Sequence, residues 1–309
     1  MEITVQEGIK SFLGCHIDYH QARGVLTITV PGMLENLHER FKQYFKRPTS
    51  KRRIPLPAGT QLKNATDEEF KEAANLPYQS VIGCLVWIVT WVKVEAACAV
   101  SMLGSHHSKW NKQHFDHAIE VLQFLIQTKH YGLKYTRPKH LKKDRIICAY
   151  ADSDLAGCVN TRKSRTGFIV MMAGAMISKR SALQKTIVLS TCAAEIVALN
   201  ELADELNYVR QILEDMGLKQ NTITCYEDNK CCLEVANQNR GTAQVAKYMQ
   251  MRELRLQEMV DNRIITVVYC KTVAQIADIF TKCLGPIIFE RLWKVATGYQ
   301  PASTLLDID

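Results

Sequence analysis

Residues 146–157 read Ile-Ile-Cys-Ala-Tyr-Ala-Asp-Ser-Asp-Leu-Ala-Gly, an apolar run that ends in acidic side chains. The apolar part, residues 146–150, predicts a buried β-strand, which places Asp152 at its carboxyl end. A second run of this kind, residues 223–226, ends in Asp228. We therefore expect two carboxylates at the ends of two buried strands.

Two more acidic residues lie where the sequence predicts the start of a helix. Glu195 follows Ser190 and Thr191, either of which can cap a long helix, and Asp278 lies in the short helical pattern of residues 275–280. Two strand ends and two helix starts can meet at one point. The pattern predicts a cluster of four carboxylates contributed by four different elements.

Such a cluster fits the chemistry of a nuclease that uses two divalent cations. Hard cations such as Mg²⁺ and Mn²⁺ need anionic oxygen ligands, and two of them about 4 Å apart can hold the attacking water and the leaving oxygen of a phosphodiester. Without metal the carboxylates repel one another, which raises some of their pKa values. Any one of these acids alone is more often a solvated surface residue, so the argument depends on the set.

The order of the surrounding segments indicates the fold. After the Asp152 strand come two short apolar runs, a long helix that Gly217 ends, and the Asp228 strand. The later segments are a short helix at 230–237, a helical stretch at 245–260, a strand at 264–269 and the Asp278 helix. The order βββαβαβα predicts a mixed α/β fold of the ribonuclease H type, a five-stranded mixed sheet flanked by helices.

Five motifs resemble the ribonuclease H domain of copia-type LTR retrotransposons. They are Tyr-Ala-Asp-Ser-Asp-Leu-Ala-Gly at 150–157, Arg-Thr-Gly-Phe at 165–168, Leu-Ser-Thr-Cys-Ala-Ala-Glu at 189–195, Tyr-Glu-Asp-Asn at 226–229 and Ala-Asp-Ile-Phe-Thr-Lys at 277–282. The resemblance implies a metal-dependent endonuclease that hydrolyses the RNA strand of RNA–DNA hybrids, leaving a 3′-hydroxyl and a 5′-phosphate. It also implies recognition of the hybrid through 2′-hydroxyl and phosphate contacts.

The resemblance assigns a role to each carboxylate. Asp152, Glu195 and Asp228 would hold one Mg²⁺ or Mn²⁺ ion, and Asp152 and Asp278 would hold a second. Asp154 is the alternative to Asp152, because residues two apart in a strand lie on the same face. The sequence leaves the choice between these two residues open.

The resemblance extends upstream into the polymerase part of the same polyproteins. Residues 9–17 resemble the strand after the palm, residues 77–85 a thumb or connection helix, and residues 131–135 the link into ribonuclease H. We expect three parts: a mainly helical palm-end, thumb and connection remnant with an N-terminal β-hairpin at 1–145, a ribonuclease H-like domain at 146–285, and a C-terminal helix and tail at 286–309. A Tyr-x-Asp-Asp polymerase motif is absent from the sequence, so no polymerase activity is expected from this chain alone. The missing polymerase part is a candidate partner.

Basic residues are concentrated before residue 146. Residues 1–145 carry 21 Lys and Arg against 13 Asp and Glu, whereas residues 146–309 carry 18 of each. Two basic runs contribute, and their candidate nucleic-acid contacts are Lys51, Arg52, Arg53, Lys142 and Lys143. Basic runs of this kind are often solvated linkers, so phosphate binding by these residues is a hypothesis.

Other features indicate an intracellular protein, cytoplasmic or nuclear. The N-terminus lacks a secretory pattern, and the 11 cysteines are odd in number and scattered in apolar segments, as expected for free thiols. The apolar run at 81–92 is interrupted by Lys93 and Glu95 well short of the roughly 20 residues that cross a bilayer. It predicts a buried helix and no membrane association.

Histidine distribution supports an alternative function. All nine histidines lie at or before His140, although ribonuclease H enzymes commonly use a mobile-loop histidine that residues 247–253 here do not supply. Loss of a proton-transfer group can cost on the order of 10²-fold in rate. The alternative is therefore a catalytically impaired or co-opted relic that binds nucleic acid. An integrase or transposase on the same fold is disfavoured, because such enzymes have their Glu last and Glu195 comes second.

Overall fold

The computed structural model describes residues 8–45, 51–138, 146–237 and 247–305. Its strands are β1 Ser11–Phe12, β2 Cys15–His20, β3 Val25–Thr29, β4 Leu133–Thr136, β5 Ile147–Asp154, β6 Arg165–Met172, β7 Ala175–Leu183, β8 Ile223–Glu227 and β9 Ile265–Tyr269. Its α-helices are α1 Pro31–Phe41, α2 Asp67–Ala73, α3 Tyr78–Trp91, α4 Ala97–Gly104, α5 Lys112–Gln127, α6 Thr191–Asp215, α7 Lys230–Ala236, α8 Lys247–Asp261, α9 Asp278–Thr281 and α10 Pro286–Ala296.

Five strands form a mixed sheet in the order β7-β6-β5-β8-β9. β5, β6 and β7 are antiparallel neighbours, while β8 runs parallel to β5 and β9 runs parallel to β8. Parallel neighbours need a crossover connection, which α6 supplies between β7 and β8. The topology confirms the predicted ribonuclease H-like fold.

Both faces of this sheet are covered, and the side-chain alternation of β5 shows how. Ala149 and Ala151 belong to one hydrophobic core, which includes buried residues of α6, α7 and α8. Tyr150 points to the opposite face, where it stacks on Tyr226 with ring centroids 4.6 Å apart and joins a second core. Burial on both faces explains why this strand is an unbroken apolar run in the sequence.

The N-terminal part contains helices α1 to α5 and a four-stranded antiparallel sheet in the order β1-β2-β3-β4. The predicted hairpin is β2 with β3, and it belongs to this larger sheet because β4 pairs with β3. The predicted buried helix is α3, in which Leu85 and Ile88 are fully buried. Within the described residues, no single helix is long and apolar enough to cross a membrane; α2 and α3 meet that criterion only jointly, across an 84° bend.

Two local expectations differ from the structure. Asp152 was predicted at the carboxyl end of its strand, but β5 continues to Asp154, because Asp152 pairs with Gly167 and Asp154 with Arg165 in the antiparallel ladder with β6. Glu195 is the fifth residue of α6, which places it just beyond the first turn. Both acids keep their predicted neighbourhood, one near a strand end and the other near a helix start.

The two parts of the chain share a hydrophobic core. The core that receives Tyr150 also contains Leu85 and Ile88 of α3, and α10 packs against it through Phe289, whose ring lies 5.9 Å from that of Phe124. The residue boundaries of the three predicted parts remain a prediction. What the structure adds is that the ribonuclease H-like sheet has one face covered by the N-terminal helices.

Candidate metal centre

Three of the predicted acids converge. Asp152, Glu195 and Asp228 each place one carboxylate oxygen so that the three oxygens lie within 4.8 Å of one another. The parallel pairing of β5 with β8 sets Tyr150 beside Tyr226, so Asp152 and Asp228 follow at the same level on neighbouring strands. The structure therefore brings the two strand acids together as the sequence predicted.

Glu195 reaches the sheet because the start of α6 is held in place. Ser190 caps the helix, its Oγ accepting a hydrogen bond from the Ala193 amide at 3.1 Å. The buried Gln184 side chain donates to the Ala194 carbonyl at 2.9 Å and to the Thr166 hydroxyl at 3.2 Å. These bonds connect the first turn of α6 to β6, and they hold Glu195 where one of its carboxylate oxygens lies within 4.8 Å of one of Asp152.

Asp278 borders this cluster without belonging to the three. It begins α9, which lies directly on β6 because residue 167 is glycine; a Cβ there would be 2.5 Å from Thr281 Cγ2 and 2.9 Å from Phe280 Cβ. The segment before α9 is fixed by Gln275, whose side chain donates to the Ala151 carbonyl at 2.8 Å. The absence of a side chain at residue 167 thus allows the fourth acid to approach the cluster.

Lys282 lies between the first and the fourth acid. Its Nζ is 2.9 Å from Asp278 Oδ1 and 3.7 Å from Asp152 Oδ2. The hydroxyl of Thr281 donates a hydrogen bond to Asp152 Oδ2 as well. The ammonium group is thus placed between the two carboxylates that the resemblance assigns to a second ion.

Burial and the neighbouring carboxylates raise the pKa values of Glu195 and Asp278. Burial raises the pKa of Glu195, and the neighbouring Glu227 and Asp152 raise it further. Burial, with Asp152 adding to the effect, raises the pKa of Asp278 to about 8. Burial lowers the pKa of Lys282, but Asp152 and Asp278 raise it more, so the net shift is upward and the ammonium stays charged.

Glu227 is a site residue that the sequence analysis did not select. It is fully buried, burial raises its pKa to about 8, and its Oε1 accepts a hydrogen bond from the Asn229 amide at 3.0 Å. Glu227 lies two residues after Cys225 and four after Ile223 in β8, so its side chain is on the same buried face of the strand. This alternation could have identified Glu227 from the sequence. The site therefore contains a fifth carboxyl group next to Asp228.

The donor set fits a divalent cation. Three carboxylate oxygens within 4.8 Å of one another match the oxygen ligands that hard cations take. Among the described residues, Glu195 Oε2 and Glu227 Oε2 are buried atoms with no hydrogen-bond partner, an arrangement that a cation would relieve. The described residues thus provide a place for one ion, while Lys282 stands beside the place predicted for a second.

The remaining predicted residues lie elsewhere. Asp154 is outside the group of three, beside Gly157, and burial raises its pKa. Arg52 forms an ion pair with Glu120 at 2.6 Å, and Arg53 forms one with Glu290 at 3.1 Å. Lys51 has no ion pair or hydrogen bond among the described residues. Lys142 and Lys143 lie outside the described residues.

The chain is similar in sequence to Pol polyproteins of retrotransposons. It is 28% identical over 285 residues to the Retrovirus-related Pol polyprotein from transposon TNT 1-94 of Nicotiana tabacum, a match that covers 91% of this chain and 21% of the polyprotein. It is 24% identical over 226 residues to the Transposon Ty1-DR5 Gag-Pol polyprotein of Saccharomyces cerevisiae, covering 73% of this chain and 13% of that protein. The chain therefore spans about a fifth or less of these relatives.

A shorter relative and two solved structures complete the comparison. The Secreted RxLR effector protein 161 of Plasmopara viticola is 33% identical over 131 residues, which is 42% of this chain and 89% of that protein. The structure of LC11-RNase H1 isolated from compost covers 45% of this chain and 93% of its own, at 15% identity and a TM-score of 0.36. The foamy viral protease-reverse transcriptase in complex with dsDNA covers 67% of this chain and 42% of its own, at 14% identity and a TM-score of 0.40. No protein-family model matches the chain.

The five-stranded sheet and its acidic cluster define a ribonuclease H-like domain. Over most of its length the chain is similar in sequence to retrotransposon Pol polyproteins, and the ribonuclease H-like domain lies within this region of similarity.

Proposed function

We propose that this protein is a metal-dependent endonuclease that hydrolyses the RNA strand of RNA–DNA hybrids, with Mg²⁺ or Mn²⁺ as cofactor. The observation that supports the proposal is the approach of Asp152, Glu195 and Asp228 to within 4.8 Å of one another on a ribonuclease H-like sheet. The sequence similarity to retrotransposon Pol polyproteins supports the hybrid as substrate, because the motifs that carry the acidic residues resemble the ribonuclease H domain of such proteins.

Each residue of the site has a role in this proposal. Divalent cations bound there would supply Lewis-acid charge for the attack of water on the phosphodiester. Asp152, Glu195 and Asp228 would hold one ion, and Asp152 with Asp278 a second. Thr281 orients the Asp152 carboxylate by its hydrogen bond.

Lys282 and Glu227 modify the charge of the site. Binding of a second cation requires that Lys282 move away from Asp278, because its ammonium is only 2.9 Å from that carboxylate. Glu227, buried behind Asp228, would add negative charge once a cation lowers its pKa. The first ion is therefore expected to bind before the second and more tightly.

The N-terminal part is the proposed surface for the hybrid backbone. The excess of basic residues lies in residues 1–145, and positively charged surfaces attract the phosphates of a duplex irrespective of its sequence. We place the protein in the cytoplasm or nucleus, with the polymerase part of the same polyprotein as a candidate partner. Polymerisation is not proposed for this chain.

A binding-only relic is the second candidate function. It is favoured by two observations: residues 141–309 contain no histidine, and Lys282 stands between Asp152 and Asp278. A protein of this kind would hold a hybrid without cutting it. Binding and cleavage therefore have to be measured separately.

The test is a substrate panel offered to the purified protein with Mg²⁺ or Mn²⁺. A labelled RNA–DNA hybrid, the same RNA as a single strand and the matching DNA duplex are incubated in parallel. The proposal expects cutting of the hybrid alone, in its RNA strand, with 5′-phosphate products. Hybrid binding without cutting would support the relic, and cutting of the DNA duplex would overturn both.

A further inference from the structure

Three sulfur atoms lie together where the N-terminal helices meet the segment that follows α9. Cys98 of α4 has its Sγ 3.9 Å from the Sδ of Met102, and Cys283 has its Sγ 3.7 Å from the same Sδ. Each thiol donates toward this one thioether sulfur, so the two cysteines approach each other around Met102. Residues 98 and 283 come from the two parts of the chain, so this cluster bridges them.

A cavity gives small molecules access to the cluster. Its volume is about 410 Å³, and Cys283 and Met102 line it together with residues of both parts, including Gln61 and Arg162. Cys283 is half-buried, whereas Cys98 is 4% exposed and lies behind it. Cys98 and Cys283 also share the lining of a second, smaller cavity. A reagent of the size of hydrogen peroxide can therefore reach Cys283 from solvent, whereas Cys98 lies behind it.

The surroundings of Cys98 favour its thiolate more than burial alone would. The neighbouring Cys283 thiol lowers the pKa of Cys98 by more than burial raises it, and the charge of Arg165 lowers it as well, while Asp154 opposes this; the pKa of Cys283 is raised in turn, so of the two thiols Cys98 more readily forms the thiolate. Cys148 shows the usual case, since burial raises the pKa of its thiol to about 11. Thiolates, not thiols, react with peroxides and disulfides.

We propose that Cys98 and Cys283 form an oxidation site, at which a peroxide converts the two thiols into a disulfide that links the N-terminal part to the ribonuclease H-like domain. The Cys283 sulfur, which the reagent reaches from the cavity, attacks the peroxide as its thiolate; the O–O bond breaks, and a sulfenic acid and one water form. The Cys98 thiolate then displaces hydroxide from this sulfenic acid, and the hydroxide leaves as a second water. The two thiols lose two electrons and two protons, and hydrogen peroxide is reduced to two waters.

This link would act next to the acidic cluster. Cys283 directly follows Lys282, whose Nζ lies 2.9 Å from Asp278 and 3.7 Å from Asp152. Fixing residue 283 to α4 restricts the backbone that carries the ammonium group. The proposal goes beyond the nuclease function and stands whether or not the protein cuts a hybrid.

The test is a disulfide map of the full chain after graded oxidation. Fully reduced protein is treated with increasing hydrogen peroxide, quenched in acid, denatured, and its remaining thiols are alkylated with N-ethylmaleimide. Non-reducing peptide mass spectrometry then gives the state of all 11 cysteines. At the lowest dose that consumes any thiol, a Cys98–Cys283 linked peptide should be the main product, and dithiothreitol should restore both thiols.

A second thiol pair in the chain provides the matched control. Cys192 and Cys231 are neighbours, and burial and then Cys231 raise the pKa of Cys192. Neither belongs to the Met102 cluster, so the variant Cys192→Ser should leave the yield of the Cys98–Cys283 peptide unchanged. Cys283→Ser and Cys98→Ser should each abolish it, and circular dichroism checks that both fold. The proposal is overturned if Cys98 and Cys283 are both alkylated while other cysteines oxidise, or if Cys283 ends as an unpaired sulfinic acid.

Discussion

Asp152 joins the parts of the site at the residue scale, since it belongs to the group of three oxygens and also accepts a hydrogen bond from Thr281 beside the fourth acid. The sequence identified Asp152 and Asp154 as alternatives, because both lie on one face of one strand. Only the approach of Glu195 and Asp228 distinguishes them, and that approach depends on how α6 and β8 pack. The ion pairs of Lys282 were likewise beyond prediction, because a long side chain takes its position from its neighbours in space.

Glu227 provides a pH-dependent prediction for the metal-free protein. Its pKa in the folded protein, about 8, exceeds the ordinary value of 4.5, so between these values the folded state binds more protons than the unfolded state. Its contribution to stability is full below the ordinary pKa and is lost as the pH rises through about 8. In EDTA, Tm should decrease as the pH is raised from about 5 to about 8.5. The variant Glu227→Gln should show a smaller decrease over the same range.

The matched control for this prediction is Glu258→Gln, which changes an exposed carboxylate of α8. That variant should keep the pH dependence of the unmodified protein. Differential scanning fluorimetry across the pH range measures all three proteins. Identical slopes for the unmodified protein and Glu227→Gln would contradict the account.

At the scale of elements, the periodicity of apolar residues and the residues typical of helix ends predicted most of the helices and strands of the ribonuclease H-like domain. The helix predicted at 190–216 is Thr191–Asp215, because Ser190 caps its start and Gly217, at a φ of 74°, follows its end. The end of β5 was placed too early, since the strand pairing of acidic residues depends on β6 and not on local composition. The position of α9 on the sheet could not be predicted from the sequence, because a helix of four residues is too short to show a periodic pattern of apolar side chains.

Gly167→Ala tests how α9 is positioned. The added Cβ would clash with Thr281 and Phe280, and α9 would have to shift away from β6, carrying Asp278 with it. Forcing an extra carbon into a packed site costs about 1–3 kcal/mol, so the free energy of unfolding should fall by this amount. Urea denaturation measures the loss, and Mn²⁺ titration should show weaker binding of a second ion.

Gly83→Ala is the matched control for that variant. Gly83 lies within α3, and nothing lies within 4 Å of a Cβ added there. Alanine favours a helix interior over glycine by about 0.5–1 kcal/mol, so this variant should be as stable as the unmodified protein or more so. If Gly167→Ala unfolds at the same urea concentration as Gly83→Ala, then α9 does not depend on the glycine.

At the scale of the whole molecule, the two parts of the chain are joined by specific polar contacts. Asn160 of the ribonuclease H-like domain donates to the Leu62 carbonyl at 2.9 Å and accepts from the Asn64 amide at 2.9 Å. Its Nδ2 also lies 3.1 Å from His106 Nε2. The sequence did not reveal this contact, because a single exposed Asn in a loop carries no local signal for a distant partner.

Asn160→Ala should weaken the association of the two parts. The two hydrogen bonds to residues 62 and 64 are lost, each with a net value of about 0.5–1.5 kcal/mol, so a destabilisation of about 1–3 kcal/mol is expected in urea denaturation. Asn262→Ala, which changes an exposed Asn after α8, is the control and should leave stability unchanged. Equal stability of the two variants would show that Asn160 does not hold the interface.

The adjacent basic residues Lys51, Arg52 and Arg53 differ in whether they form ion pairs, and this difference gives a prediction on hybrid binding. Arg52 and Arg53 are engaged in ion pairs, whereas Lys51 has no such partner among the described residues. If Lys51 contacts a backbone phosphate, Lys51→Gln should reduce the slope of log K against log salt by about 0.9. Arg52→Gln is the comparison and should mainly lower Tm. An unchanged slope for Lys51→Gln would remove this residue from the nucleic-acid surface.

The most direct test of the central claim compares two neighbouring acids in one cleavage assay. Asp152 lies in the group of three and Asp154 does not, although both belong to β5. With a labelled RNA–DNA hybrid and Mg²⁺ in single-turnover conditions, Asp152→Asn should slow cleavage by on the order of 10²- to 10³-fold, since a bound cation contributes several kcal/mol. Asp154→Asn should retain most of the rate. Equal loss in both variants, or a larger loss in Asp154→Asn, would contradict the assignment of the metal centre.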